Sequence, residues 1–190
     1  MSRPPGTEAL RAALCAQIKV DARSSPGEQR SNIGGWHSPP TLFERPEPCF
    51  VALKELVFSS FRQVLKAQCQ ARGRPMPAEA RIGGQAWAMV MEKGHYSAPH
   101  HHGEAQWASV FYVDAGDPSG AASSPAGMLT FLDPRGGRMG PDPLSLFEVR
   151  QDLRPKDGLL LFFPAWLQHH VHPYGGSRPR VSVSSNLVVG

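Results

Sequence analysis

The stretch RVSVSSNLV, at positions 180–188, alternates polar and apolar side chains. Because side chains along a β-strand point alternately to its two faces, this period of two predicts a strand over residues 180–188. One face carries Arg180, Ser182, Ser184 and Asn186, and the other carries Val181, Val183 and Leu187. The polar face cannot pack on hydrophobic helices, so we expect it to line a hydrated interior or a polar ligand. An exposed edge strand with a solvated arginine is the alternative.

Five further strands are predicted after residue 81, where the hydrophobic period changes from 3.6 to 2. They cover residues 85–92, 107–114, 128–132, 145–153 and 158–164. The chain contains 19 Gly and 19 Pro residues, which suit short strands and many turns better than a helix bundle. Residues 115–127, rich in Gly, Ala, Ser and Pro, are predicted to form a loop.

Two amphipathic helices are predicted before the strands. Residues 7–20 have Thr7 as a cap and a stripe that includes Leu14 and Ile18, and residues 47–72 carry apolar side chains at spacings of three and four. Many short strands behind two helices predict a mainly β fold with flanking helices, either a β-sandwich or a jelly roll. We expect one domain, residues 1–190, with a helical support segment over 1–80 and a jelly-roll core over 81–190.

Composition argues against several classes of protein. The net charge is +4, but the arginines are scattered, so nucleic-acid binding is not expected. The sequence contains no run of about 18 apolar residues, so no membrane span is predicted. The N-terminal segment also lacks the apolar stretch of a signal peptide, so we expect a cytoplasmic location. The three cysteines are odd in number and widely spaced, which favours reduced thiols over disulfides.

Six of the eight histidines fall in two clusters, HHH at 100–102 and HHVH at 169–172. On a strand His100 and His102 would share one face, with His101 on the other, and a third ligand from a distant strand would complete a metal site. We expect His169 to be that ligand. Three ligands on one side of a metal leave the opposite side open, which suits oxygen activation.

Other interpretations of the histidines are a surface loop that binds stray metal, a structural zinc site, or core histidines without metal. His37, His95 and His172 are expected to take no part in the site.

A second candidate group lies near the predicted metal site in the fold. Arg180 offers a planar fork of donors that matches a carboxylate in bidentate geometry, and Ser182 adds a hydroxyl on the same face. Tyr112, on the strand over residues 107–114, would fill the interior with its ring while its hydroxyl meets a polar partner. A plain core tyrosine is almost as good an interpretation.

The ordered set of motifs resembles a known family. The matching segments are SNIGGWHS (31–38), the strand around Trp87, HHHGEAQWASVFYV (100–113), the turn at 132–135, GLLLFFPAWLQHHVHP (158–173) and RVSVSSN (180–186). Together they resemble the 2-oxoglutarate/Fe(II)-dependent oxygenases of the conserved-hypothetical bacterial and phage type, within the prolyl-hydroxylase-like superfamily. The likeness runs from about residue 31 to the C-terminus.

The resemblance implies a double-stranded β-helix, the jelly roll of this superfamily. It implies Fe(II) bound by His100, His102 and His169, and it implies that Arg180 binds the distal carboxylate of the cosubstrate 2-oxoglutarate. Tyr112 and Ser182 would assist in binding that cosubstrate.

The sequence departs from the wider superfamily at the metal motif. Most members have His-x-Asp or His-x-Glu, and His102 occupies the position of the acid, although the resembled subfamily does have His-x-His. His102-Gly103-Glu104 is itself a His-x-Glu, so a shifted register with Glu104 as ligand stays open. Trp87-Ala88-Met89 replaces the Trp-x-Asn of the subfamily, which bears on substrate binding.

The predicted function is an Fe(II)- and 2-oxoglutarate-dependent dioxygenase that hydroxylates an unidentified small molecule or protein side chain and releases succinate and CO2. The alternatives are a three-histidine cupin-type dioxygenase that needs no 2-oxoglutarate, a non-enzymatic jelly-roll binding protein, and a zinc hydrolase.

Overall fold

Ten β-strands and two long helices make up the part of the chain that the computed structural model describes, residues 2–117, 124–134 and 150–190. The helices are α1 (Glu8–Ser24) and α2 (Pro48–Ala71), with a short 3₁₀ helix at Leu42–Glu44 between them. The strands are β1 (Asn32–Ile33), β2 (Trp36–His37), β3 (Ile82–Met91), β4 (Tyr96–His100), β5 (Trp107–Asp114), β6 (Leu129–Leu132), β7 (Arg150–Leu153), β8 (Leu160–Pro164), β9 (His169–Val171) and β10 (Arg180–Val189).

The strands form two five-stranded antiparallel sheets. One sheet has the order β2-β3-β10-β5-β8, and we call it the helix-covered sheet because both helices pack on its outer face. The other has the order β1-β4-β9-β6-β7, and we call it the short-strand sheet. The predicted mainly β fold with flanking helices, a double-stranded β-helix or jelly roll, is confirmed.

Strand β10 lies in the middle of the helix-covered sheet, between β3 and β5. Its apolar residues Val181, Val183 and Leu187 belong to a buried cluster with side chains of both helices, such as Leu14 and Phe61. Burying a side chain of this size contributes roughly 1.5–3 kcal/mol, so this face ties the helices to the sheet. The two faces predicted from the alternation are confirmed, and the edge-strand alternative is wrong.

Both predicted helices are present. Helix α2 begins one residue after the predicted start and ends one residue before the predicted end, whereas α1 runs four residues further than expected. Thr7 occupies the N-cap position of α1, but its hydroxyl donates to the carbonyl of Pro4 at 3.3 Å and caps no helix N–H. The predicted side-chain cap is therefore wrong.

The strand predictions are correct in position and differ mainly at their ends. The strand predicted over 158–164 begins at Leu160, because Gly158 has a φ of +73° and belongs to the preceding turn. Residues 145–149 of another predicted strand and residues 118–123 of the predicted loop lie outside the described residues. The strands β4 and β9, which carry two of the candidate histidines, were not predicted.

The three cysteines are free thiols, as expected. Among the residues that the structure describes, no helix combines the length and the apolar character needed to cross a bilayer.

Candidate metal centre

Three histidines from two separate parts of the chain meet between the sheets. His100 ends β4 and is the register partner of His169, which begins β9. His102 lies just past the end of β4, where its backbone N–H donates to the carbonyl of Ala165 at 2.8 Å. One ring nitrogen of each histidine lies within 4.8 Å of the other two. His100 and His102 were predicted to share one strand, but in the structure His102 comes from the loop that follows β4.

Backbone carbonyls hold two of the three rings. Nδ1 of His100 donates to the carbonyl of Ala98, and Nδ1 of His169 donates to that of Leu167, each at 2.8 Å. These bonds select the tautomer with a proton on Nδ1 and leave the Nε2 lone pair free. Nε2 of His169 lies 3.3 Å from Nε2 of His102. Two nitrogen ligands about 2.1 Å from one metal ion lie roughly 3.0–3.4 Å apart in octahedral or tetrahedral geometry, so this pair fits a shared cation.

All three imidazoles are neutral near pH 7. Burial lowers the pKa of His102 to about 3, with His169 and His100 adding to the effect. Burial likewise lowers the pKa of His169 to about 4 and depresses the pKa of His100. A metal ion binds the deprotonated ring, so the site is ready for a cation without having to release protons.

The histidines open into a cavity of about 520 Å³ between the two sheets, a size typical of small-molecule sites. The polar face of β10 lines this cavity, and so does Tyr112 on β5. The structure therefore brings together all six residues that the sequence analysis selected for the site. They are His100, His102, His169, Arg180, Ser182 and Tyr112.

Arg180 is a buried cation that has no acidic partner among the described residues. Its side chain is 2% exposed, one terminal nitrogen donates to the carbonyl of Gly127 at 2.6 Å, and the other lies 2.9 Å from the sulfur of Met91. Its Nε is buried and has no hydrogen-bond partner among the described residues, and Arg180 forms no salt bridge with a carboxylate of those residues. Burial lowers the pKa of this guanidinium, because holding the charge away from water is costly. An anionic ligand would offset that cost.

Tyr112 and Ser182 are register partners beside Arg180, on adjacent strands. Tyr112 is 3% exposed, and its hydroxyl has no hydrogen-bond partner among the described residues. Burial raises the pKa of Tyr112 to about 12, so the phenol keeps its proton and can donate a hydrogen bond. Ser182 is buried and also lines the cavity.

Several residues fall where the sequence did not place them. His37 was expected outside the site, but it lines the cavity; His95 and His172 do not. Glu104 is exposed and does not belong to the group of converging ligand atoms.

The segment before α2 also contributes to the site, which was not predicted. Glu28, Arg30 and Pro40 line the cavity, which gives residues 25–40 a part in the site beyond helical support. The one available signal was the position of His37 inside the motif SNIGGWHS.

Comparison with known proteins agrees with this geometry. A family model described as "Putative 2OG-Fe(II) oxygenase" matches residues 85–186, more than half of the chain. No curated protein matches the sequence.

Several solved structures share the fold. A Pseudomonas putida prolyl-4-hydroxylase has a TM-score of 0.63 at 14% identity, covering 99% of this chain and 90% of that one. A Trichoplax adhaerens prolyl hydroxylase in complex with a hypoxia inducible factor peptide has a TM-score of 0.62 at 16% identity, covering 99% and 81%. HygX from Streptomyces hygroscopicus, with nickel and 2-oxoglutarate bound, has a TM-score of 0.60 at 12% identity, covering 95% and 78%.

At these identities the solved structures establish the fold, while the family model establishes the relationship. The chain belongs to the 2OG-Fe(II) oxygenase family and is an oxidoreductase of the class that uses Fe(II) and 2-oxoglutarate.

Proposed function

We propose that His100, His102 and His169 bind Fe(II) and that Arg180 binds the distal carboxylate of 2-oxoglutarate in a reaction that hydroxylates a substrate. One observation carries the proposal: three neutral imidazoles converge in the same cavity as a buried guanidinium that has no carboxylate partner among the described residues. The residues fit both groups, since the imidazoles offer free lone pairs and the guanidinium needs an anion.

Each residue has a distinct task in this assignment. Bound Fe(II) and 2-oxoglutarate supply the oxidising chemistry, with O2 consumed and succinate and CO2 released. Arg180 orients the cosubstrate through hydrogen bonds to its distal carboxylate, and Tyr112 and Ser182 add hydroxyl donors beside it. The carbonyls of Ala98 and Leu167 keep two imidazoles in the tautomer that presents Nε2 to the metal.

The substrate is proposed to be a small molecule or a protein side chain. Proteins of this fold include both kinds of complex: the Trichoplax enzyme is seen with a peptide and HygX with hygromycin B. A cytoplasmic location and a single domain over residues 1–190 stay predictions.

The alternative of a three-histidine dioxygenase that works without 2-oxoglutarate arose because, among the described residues, three histidines and no carboxylate form the group of ligand atoms. Membership in the 2OG-Fe(II) oxygenase family argues against it. Such an enzyme would have no cosubstrate carboxylate for Arg180 to bind. The buried guanidinium therefore favours the 2-oxoglutarate-dependent reaction.

The test compares two adjacent histidines of the same segment. His169→Ala should abolish Fe(II) binding and the formation of succinate from 2-oxoglutarate. His170→Ala is the matched control, because His170 does not line the cavity, and it should retain both. Binding is measured by calorimetry with Fe(II) under nitrogen, and succinate by chromatography. Unchanged Fe(II) binding and succinate formation in His169→Ala would refute the proposal.

A further inference from the structure

We propose that His37 is the substrate-binding residue beside the metal centre, and that its Nε2 accepts a hydrogen bond from an amide N–H or a hydroxyl of the substrate. This inference rests on the proposed function and adds to it a recognition element and a chemical class of substrate.

The acceptor role follows from how the ring is held. Nδ1 of His37 lies 2.6 Å from the carbonyl oxygen of Ser38, which can only accept, so Nδ1 carries the proton. In the neutral ring Nε2 is then a hydrogen-bond acceptor. The side chain is 5% exposed and lines the cavity, and Nε2 has no partner among the described residues. Burial lowers the pKa of His37, which agrees with a neutral ring.

Ring contacts place His37 close to the metal centre. The imidazole stacks on the indole of Trp87, with centroids 5.6 Å apart and planes 15° apart. The centroid of the same indole lies 5.6 Å from that of His102. His37, Trp87 and His102 thus form a continuous row along one wall of the cavity, and a molecule lying on this wall would reach the metal centre.

Arg180, the proposed binding residue for 2-oxoglutarate, lies on the same sheet as His37 but not next to it. His37 is on β2, at the edge of the helix-covered sheet, and Arg180 is on β10, two strands away. At about 4.8 Å per strand the two backbones are about 10 Å apart. A cosubstrate held by Arg180 and reaching the histidines therefore leaves the wall at His37 free for a second molecule.

The charges near His37 favour a neutral donor group. Glu28 and Arg30 also line the cavity, and they pair with each other at 2.9 Å, so their charges largely cancel. Glu28, Arg30 and His37 all precede residue 85, where the match to the family model begins. The His37 end of this wall therefore belongs to a part of the chain outside the family match, whereas Trp87 and His102 lie inside it, and we assign substrate selectivity to the His37 end.

The test uses two small amides that differ in one donor. Protein loaded with Zn(II) in place of Fe(II), and with 2-oxoglutarate, is titrated with N-methylacetamide, which has an N–H, and with N,N-dimethylacetamide, which has none. The side-chain ¹⁵N resonance of His37 Nε2 reports binding. A net hydrogen bond predicts that the wild-type protein binds N-methylacetamide about fivefold more tightly.

Two variants separate the acceptor from the ring. His37→Phe keeps a flat ring to stack on Trp87 but has no acceptor, so the ratio of the affinities for the two amides should fall to about one. Because this variant lacks Nε2, binding is measured from the resonances of the amides. His37→Gln places an oxygen near the Nε2 position and should restore a preference for N-methylacetamide.

Equal affinities for the two amides in the wild-type protein, or no saturable binding of N-methylacetamide, would overturn the inference. A ratio unchanged in His37→Phe would also overturn it. Zn(II) and 2-oxoglutarate binding are measured separately beforehand; their failure would overturn the proposed function, whereas the amide ratio, measurable with or without metal, decides the role of His37.

Discussion

Replacing Arg180 with methionine should uncouple the stability of the protein from 2-oxoglutarate. Methionine has a similar length and no charge, so the variant removes the buried cation and leaves the Gly127 carbonyl without its donor. Losing the uncompensated charge stabilises the ligand-free protein, and losing the hydrogen bond destabilises it by about 1–3 kcal/mol. Because these effects oppose each other, we expect only a small change of Tm without ligand.

The ligand-dependent effect is much larger. At a concentration 100 times its Kd, 2-oxoglutarate stabilises the wild-type protein by about 2.7 kcal/mol, which raises the Tm of a chain of this size by about 5–11 °C. Two charge-assisted hydrogen bonds to a carboxylate are worth at least about 3 kcal/mol, so their loss weakens binding at least about 150-fold. At the same concentration the shift in Arg180→Met should then fall to about 1 °C.

Differential scanning fluorimetry with Zn(II)-loaded protein, with and without 2-oxoglutarate, measures both effects. Arg178→Met is the matched control: Arg178 lies two residues earlier, is largely exposed and pairs weakly with Asp114 at 3.6 Å. It should keep the full ligand-dependent shift. A full shift in Arg180→Met would refute the assignment of Arg180 as the carboxylate anchor.

Three further predictions concern pH, the cosubstrate site and the core. Since the folded-state pKa values of His102 and His169 are about 3 and about 4, below the ordinary 6.5, the unfolded chain binds more protons at intermediate pH. Thermal denaturation of the metal-free protein should therefore show stability falling as pH drops from about 6.5 towards 4, and less steeply in His102→Ala; a flat profile would contradict this. Tyr112→Phe should weaken 2-oxoglutarate binding about 2- to 12-fold by calorimetry, the value of one hydrogen bond, and an unchanged affinity would leave Tyr112 as a core residue. Phe61→Ala should lower the free energy of unfolding in urea by about 3–5 kcal/mol, whereas Val51→Ala, on the same helix but 44% exposed, should change it by less than about 0.5 kcal/mol.

The parts of the fold predicted best are those in which local pattern and tertiary packing agree. β5 was predicted at its observed ends, and β10 within one residue, because each strand is long and packs on the helices through at least one apolar face. β4 and β9 have the sequences YSAPH and HHV, which carry no apolar alternation. Pairing with neighbouring strands defines them, and a single sequence does not display that pairing.

The residues of the candidate site also fall into those that the sequence could identify and those that it could not. His100, His169 and Arg180 could be selected because imidazole clusters and a guanidinium on a polar strand face are unusual in any sequence. His37 could not, since its place depends on a contact with Trp87, 50 residues away. His102 was selected because it was expected to share a strand face with His100. In the structure it reaches the other histidines from a loop instead.

The division of the site between the two sheets has a mechanical consequence. His100 and His169 belong to the short-strand sheet, and Arg180 belongs to the helix-covered sheet. On the proposed assignment, a cosubstrate bound at one end by the metal centre and at the other by Arg180 would connect the two sheets. Binding of the cosubstrate should then slow amide hydrogen exchange in β4 and β9, two strands of the sheet that the helices do not cover, even before a substrate binds.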